Sequence, residues 1–197
     1  MELFGFHGTL ACNVASIKRE GFKRNRSCKG PNLYCKGHRV PNDLGEGIYF
    51  FIEGYDPPDE IARKYVEYNK SRLIERKKTC VEIIKVKVTQ NDDEYLDFDE
   101  KDNLQSLHKF RTQFEESIKE LIKKSDHQDG AYKRGNFDGY VVDLLVMRIE
   151  QEKKLQIKSV SRATYTKIDS EQQRSNIPNG KELCVKCSKC IQFIEDE

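Results

Sequence analysis

The pattern of apolar and polar positions in the first half of the chain predicts strands interleaved with helices. Short apolar runs bounded by glycine or polar residues are typical of buried strands, and a period of two indicates a strand with one exposed face. We therefore expect three strands, over Leu3–Phe6, Gly47–Ile52 and Val81–Val88. Two helices are expected between them, over Val14–Glu20 and over residues 57–75.

In the second half of the chain the clearest signal is helical, because apolar residues recur every three or four positions from Leu104 to Ile122. That spacing predicts one long amphipathic helix. Three further strands are expected, over Phe137–Val142, over Leu144–Ile149 and from Gln156 toward Tyr165. Strands and helices are mixed without a regular strand–helix–strand repeat, which indicates an α+β fold.

Length and composition favour one main domain with a short extension. The 197 residues are enough to bury a hydrophobic core without disulfide bonds. We assign residues 1–167 to the main domain, and residues 168–197 to a polar linker followed by a Cys-rich C-terminal tail. No apolar run approaches the roughly 18 residues that a membrane span needs, and the N-terminus lacks the pattern of a secretory signal. A cytoplasmic protein without membrane contact is therefore expected.

The charge of the chain is nearly balanced but unevenly distributed. The net charge is +2, yet the segment Ile17–Val40 carries eight Lys and Arg residues against one acid, Glu20. Much of this segment falls in a long irregular loop expected over residues 23–43. A basic loop attracts polyanions such as nucleic acid. An ordinary solvated loop explains the same composition equally well.

Two short motifs carry the candidate chemistry. His7-Gly8-Thr9 follows the first predicted strand, and Leu44-Gly45-Glu46-Gly47-Ile48-Tyr49-Phe50-Phe51 contains the second. A histidine with a glycine beside it, close to a strand that presents a tyrosine, can form a slot for a planar cationic ring. A histidine satisfied within the core and an ordinary strand tyrosine are the competing explanations.

The ordered set of motifs resembles the ADP-ribosyltransferase superfamily, and within it the His-Tyr-Glu branch that includes the poly(ADP-ribose) polymerases and diphtheria toxin. The motifs extend across residues 3–165 and are His7-Gly8-Thr9, a helix ending at Gly21-Phe22, the Leu44–Phe50 stretch, Phe137-Asp138-Gly139 and Gln156–Val160. The resemblance implies split, mixed β-sheets with flanking helices. It also implies mono-ADP-ribosylation, in which NAD is the substrate and nicotinamide is released.

The resemblance further implies roles for individual residues in NAD binding. His7 would hydrogen-bond the ribose next to nicotinamide, and Gly8 would offer main-chain groups to the carboxamide. Thr9 would support the loop or touch the ribose. Tyr49, introduced by Gly47, would stack on the nicotinamide ring, because an aromatic face suits a cationic heterocycle.

The third residue of the family pattern is a glutamate at the start of a strand. At the usual spacing before the Gln156–Val160 segment stands Arg148, which cannot fill that role. Asp143 is our first choice, since it would begin the strand over Leu144–Ile149. Glu150 is the second choice and Glu152 the third. A substituted third residue is associated in the family with transfer of single ADP-ribose units.

Three cysteines at metal-ligand spacing form a second candidate site. Cys184, Cys187 and Cys190 could bind zinc, for which a fourth ligand would come from Cys28, Cys35 or His38 in the basic loop. A tail with free thiols is the alternative.

The function expected from the resemblance is modification of a macromolecular acceptor, either nucleic acid or protein. An intracellular toxin or phage-defence effector would fit, and a neutralising partner protein would then be expected. The alternative is a catalytically silent module that keeps the scaffold and binds nucleic acid or a partner protein.

Overall fold

The computed structural model describes residues 1–23, 39–128, 130–169 and 175–194. Within them, seven strands form one mixed sheet, and helices pack on it. The strands are β1 (Glu2–Leu10), β2 (Ile48–Ile52), β3 (Val81–Thr89), β4 (Tyr95–Asp97), β5 (Ser159–Thr164), β6 (Gly180–Val185) and β7 (Ile191–Phe193). The helices are α1 (Ala11–Glu20), α2 (Pro58–Lys77), α3 (Lys101–Gln113), α4 (Glu115–Lys124), α5 (Gly130–Arg134) and α6 (Asp138–Lys153).

The seven strands form a sheet in the order β4-β5-β6-β2-β1-β3-β7. Strands β4 and β5 run parallel, and the other neighbours are antiparallel. Strands β1 and β3 pair along their whole length, from Glu2 opposite Thr89 to Leu10 opposite Val81. Between β1 and β2, by contrast, the ladder among the described residues consists of the pair Phe6–Phe51. The sheet therefore opens between β1 and β2 beyond this pair.

Each face of the sheet buries its own apolar cluster. On one face, α2 packs over β1 and β2, and α3, α4 and α6 pack over β4, β5 and β6; Phe51, Tyr49 and Cys184 point to this side. On the other face, Phe50 and Val86 pack with residues of α1 and β7. Side chains alternate between the faces along each strand because of the pleat. Consecutive residues of β1 and β2 therefore face opposite sides.

The prediction of one helix over Leu104–Ile122 is wrong in one respect. The segment forms two helices, α3 and α4, separated at Phe114, whose backbone (φ −110°, ψ 21°) leaves the helical region. The ring of Phe114 nevertheless lies 4.4 Å from that of Phe110, centroid to centroid, so the apolar face continues across the break. The periodicity identified the buried face correctly but could not show where the helix is interrupted.

The predicted strands over Phe137–Val142 and Leu144–Ile149 are also wrong, because residues 138–153 form helix α6. Helix α6 lies between the sheet and the pair α3–α4, so its first three turns are buried on several sides. A helix buried in this way loses the polar stripe that would reveal its period. A run of apolar residues is then compatible with either a strand or a helix.

The segment expected as a tail belongs to the sheet. Strand β6 lies between β5 and β2, and β7 pairs with β3 at the sheet edge. None of the described helices is long and apolar enough to cross a bilayer. Most of the basic loop expected over residues 23–43, including Cys28, Cys35 and His38, lies outside the described residues.

Candidate active site

The opening of the sheet is bridged by a side chain. Beyond the Phe6–Phe51 pair, Nδ1 of His7 lies 2.9 Å from the main-chain oxygen of Tyr49 in β2. A carbonyl oxygen can only accept a hydrogen bond, so Nδ1 carries the proton and donates. Burial lowers the pKa of His7, and the hydrogen bond to Tyr49 opposes this effect without cancelling it. The imidazole is therefore neutral at pH 7, and its Nε2 is a hydrogen-bond acceptor.

Aromatic rings hold the His7 imidazole in place. Its centroid lies 5.1 Å from that of Phe22 and 5.9 Å from that of Phe50, and both contacts are edge-to-face. Phe22, which follows α1, in turn stacks on Phe193 of β7 at 5.4 Å. The family-like Gly21-Phe22 ending of the first helix thus has a structural reason, because it carries Phe22 onto the histidine.

Tyr49 points to the opposite face of the sheet from His7. Its ring packs against the cluster formed with α6, whereas His7 lies with Phe50 on the other side. The two side chains therefore do not line one slot directly. They are coupled through the Tyr49 carbonyl, to which the imidazole is bonded.

The Tyr49 hydroxyl forms hydrogen bonds with the turn before β2. It donates to the oxygen of Gly45 at 2.7 Å and accepts from the amide of Leu44 at 3.0 Å. Burial raises the pKa of Tyr49 well above its usual value, and the nearby Cys184 and Glu182 raise it further. The phenol therefore stays protonated at physiological pH, and its two hydrogen bonds fix the ring.

A buried ion pair is also bonded to the turn that precedes β2. Lys186, directly after β6, lies 2.8 Å from Oδ1 of Asp143 and donates to the oxygens of Leu44 at 2.8 Å and Glu46 at 3.1 Å. Asp143 also accepts from the Glu46 amide, at 2.8 Å through Oδ2. At Gly45, where φ is +84°, a Cβ would lie 2.0 Å from Asp143 Oδ1. Glycine is therefore required there for both backbone conformation and space.

The expectation that Asp143 begins a strand is wrong, since it lies within α6. Its carboxylate is buried and bonded to Lys186 and to the turn. Glu150, near the end of the same helix, accepts from the amide of Ile157 at 2.9 Å. Glu152 pairs with Arg148 on the surface. Each of these three acids is bonded to another group of the protein, and none stands at the start of a strand.

Gly8, Thr9 and Gly47, predicted to bind NAD, each lie in a tight environment. A Cβ on Gly8 would meet the main-chain oxygen of Ala62 in α2 at 2.2 Å, so this glycine lets the helix approach the strand. Thr9 is buried, and its hydroxyl oxygen lies 3.4 Å from the amide nitrogen of the Asn13 side chain. Gly47 precedes β2 and lies against the thiol of Cys184.

One acid that the sequence interpretation missed stands near the start of a strand on the Tyr49 face. Glu182 is the third residue of β6 and pairs with Phe51 of β2, two residues beyond Tyr49. Its Oε1 accepts a hydrogen bond from the Thr166 hydroxyl at 2.9 Å. The sequence signal was weak, because only a short apolar run, Leu183–Val185, follows Glu182. It was overlooked because the neighbouring cysteines were interpreted as a metal motif.

The three cysteines of that motif do not meet. Cys184 is buried on the α6 side of the sheet, whereas Cys187 and Cys190 pack on the other side. The Cys190 thiol lies 2.9 Å from the Cys187 oxygen, and burial raises its pKa to about 11. Within the described ranges, no group of three His, Cys, Asp or Glu side chains could hold a metal ion.

Known proteins add no further guidance on the site. No protein-family model, no curated protein and no solved structure matches the chain.

Proposed function

We propose that the protein is an NAD-dependent ADP-ribosyltransferase that modifies a macromolecular acceptor and releases nicotinamide. The observation that carries the proposal is the hydrogen bond between His7 and the main chain at Tyr49. These residues belong to the two motifs on which the family resemblance rests. They are 42 positions apart in sequence, and a direct hydrogen bond joins them at the point where the sheet opens.

The opening between β1 and β2 suits a nicotinamide ribose. A neutral imidazole that donates through Nδ1 can accept a ribose hydroxyl through Nε2. Main-chain groups that do not pair across the opening are available to a carboxamide, which both donates and accepts hydrogen bonds. Gly8, which follows His7, would offer its main-chain groups at the edge of the opening, since the space of its missing side chain is taken by α2.

Glu182 takes the place of the third residue in this proposal, instead of Asp143 and Glu150. It lies near the start of a strand beside β2 and on the same face as Tyr49. A carboxylate on this face can stabilise the positive charge that develops on the ribose, while His7 would contact the ribose from the opposite face of the opening. The bond from the ribose C1′ to the nicotinamide nitrogen breaks, and its electron pair leaves with neutral nicotinamide. The acceptor atom bonds to C1′, and its proton passes to a carboxylate or to water.

The expectation of a single ADP-ribose per site depended on a substituted glutamate. With Glu182 in the third position that argument no longer applies, although single-unit transfer remains our proposal. Gel mobility of the modified acceptor measures the product length directly, since chain elongation produces a ladder or a smear.

Label transfer from NAD tests the proposal. The protein is incubated with NAD labelled in the adenosine part, together with RNA, DNA or a cell lysate, and nicotinamide release is measured in parallel. We expect transfer with the unmodified chain and its loss in both His7→Ala and Tyr49→Ala. Circular dichroism of each variant shows whether it remains folded. If no pool is labelled and no nicotinamide is released, the chain is the silent binding module instead.

A further inference from the structure

An open pocket is lined by Lys181 and Arg162, which are the chain neighbour of Glu182 and its partner in the β5–β6 register. It has a volume of about 610 Å³ and lies where β2 ends and α3 begins. Phe98 and Leu104 supply apolar lining, and the polar groups come from Glu53, Tyr55, Asp99, Arg162 and Lys181. The volume falls in the range of about 300–1,000 Å³ that is typical of small-molecule sites.

Arg162 is the cation of this pocket that has no side-chain partner among the described residues. It lies in β5, directly opposite Glu182 in the β5–β6 register. Its side chain is partly buried, and it forms no hydrogen bond or ion pair with any residue in the described ranges. A guanidinium presents five donors in a planar fork, a geometry that matches phosphate and carboxylate groups. An anionic group is therefore the ligand that this side chain favours.

Lys181 differs from Arg162 because its charge is already paired. Its ammonium lies 2.5 Å from Asp97 and 3.0 Å from Asp99. Burial lowers the pKa of Lys181, but the bonds to the two carboxylates outweigh this effect and raise it to about 12. Lys181 thus stabilises the β4–β6 region and contributes little attraction for a ligand.

Two more groups in the pocket suit a nucleobase. The ring of Tyr55 is 65% exposed at the pocket rim, where it can stack on a planar ligand. Base stacking on an exposed aromatic ring is a general means of binding single-stranded nucleic acid. The Glu53 carboxylate can accept hydrogen bonds from the amino group of a base.

We propose that this pocket is the acceptor subsite and that it takes one nucleotide of a single-stranded nucleic acid. The inference rests on the proposed function. Arg162 binds the phosphate, Tyr55 stacks on the base, and Glu53 accepts from an amino group of the base. Arg162, which has no partner within the described ranges, would repel a cationic protein side chain. The eight Lys and Arg residues of the Ile17–Val40 segment also favour a polyanion.

Fluorescence anisotropy with labelled single-stranded oligonucleotides of mixed sequence, in the absence of NAD, tests the pocket. Arg162→Ala should weaken binding about tenfold and reduce the slope of log K against log salt by about one. Arg162→Gln, which keeps a polar side chain with hydrogen-bonding capacity but removes the charge, serves as a milder variant and should also weaken binding. Tyr55→Ala should weaken binding by about tenfold through lost stacking. Arg72→Ala, at an exposed position on α2, is the matched control and should change binding less than about twofold.

Nicotinamide release in the absence of any acceptor separates this inference from the proposed function. Hydrolysis of NAD needs the NAD site alone, so nicotinamide release by the unmodified chain and by the Arg72→Ala control reports on the proposed function without the subsite. If nicotinamide is released but the Arg162 and Tyr55 variants bind and modify oligonucleotides normally, the subsite is wrong and the function stands. Label transfer to protein alone would also overturn the subsite. If nicotinamide is never released while the variants still lose oligonucleotide binding, the function fails and the pocket stands as a binding site.

Discussion

Lys186 and Asp143 form a buried ion pair, with Nζ and Oδ1 2.8 Å apart, beneath the turn that precedes β2. Both groups also bond to the backbone of that turn, at Leu44 and Glu46. The turn in turn holds the hydroxyl of Tyr49. Asp143 of α6 and Lys186 after β6 therefore position Tyr49 through this turn, although neither of them is hydrogen-bonded to Tyr49.

Asp143→Ala should destabilise the protein strongly. It leaves the Lys186 ammonium buried without its counter-charge, and breaking a buried pair in this way costs about 3–5 kcal/mol. Denaturant unfolding measures the loss, and Asp93→Ala, at an exposed acid, should change the free energy of unfolding by less than about 0.5 kcal/mol. A stable Asp143→Ala protein that has lost only nicotinamide release would instead restore Asp143 to the catalytic role.

Tyr49→Phe separates the ring of Tyr49 from its hydroxyl. The change leaves the Leu44 amide and the Gly45 oxygen without their partner, which costs about 1–3 kcal/mol of stability. The ring remains, so nicotinamide release should persist below the unfolding transition, whereas Tyr49→Ala should abolish it. Thermal unfolding and nicotinamide release, measured side by side, check both parts. Tyr55→Phe, at an exposed ring, is the stability control.

Strand β2 could be predicted because it is a short apolar run, and β3 because its residues alternate; β1 was predicted only over Leu3–Phe6, although it runs from Glu2 to Leu10. Helix α6 could not, since contact with the sheet on one side and α3 and α4 on the other removes its polar face. The break at Phe114 could not be predicted from the sequence either, because the apolar spacing continues through it.

Residues of the candidate site that belong to local sequence motifs could be predicted. Residues that the order of the strands brings to the site could not. His7 and Tyr49 lie in motifs that stand out by themselves. Glu182 stands out only once β6 is known to lie beside β2, and three cysteines around it suggested a different chemistry. The prediction of Asp143 as the third residue depended on a strand over Leu144–Ile149, where the structure has helix α6.

Glu182→Gln and Glu150→Ala distinguish the two acids. Glu182→Gln keeps the shape and a hydrogen-bonding oxygen near Thr166 but removes the charge, so nicotinamide release should fall at least about 100-fold with stability nearly unchanged. Glu150→Ala removes the acceptor for the Ile157 amide and should cost about 1 kcal/mol while activity persists. Single-turnover release and denaturant unfolding of both variants give the comparison. The reverse pattern would return the third position to Glu150.

The pKa of His7 predicts a dependence of stability on pH. Burial lowers this pKa in the folded protein, whereas in the unfolded chain it lies near its usual value of about 6.5. The unfolded state therefore binds the proton first, and the contribution of neutral His7 is fully present above about pH 6.5. That contribution is lost as the pH falls toward the folded-state pKa.

His7→Gln isolates this effect from the titration of the carboxylates, because glutamine keeps hydrogen-bonding capacity without a titratable group. Between pH 7.5 and pH 5.5 the free energy of unfolding should fall more for the unmodified chain than for His7→Gln. Denaturant unfolding at both pH values measures the difference. Equal losses in the two proteins would show that His7 is not held neutral, and the hydrogen-bond acceptor assigned to its Nε2 would then be lost as well.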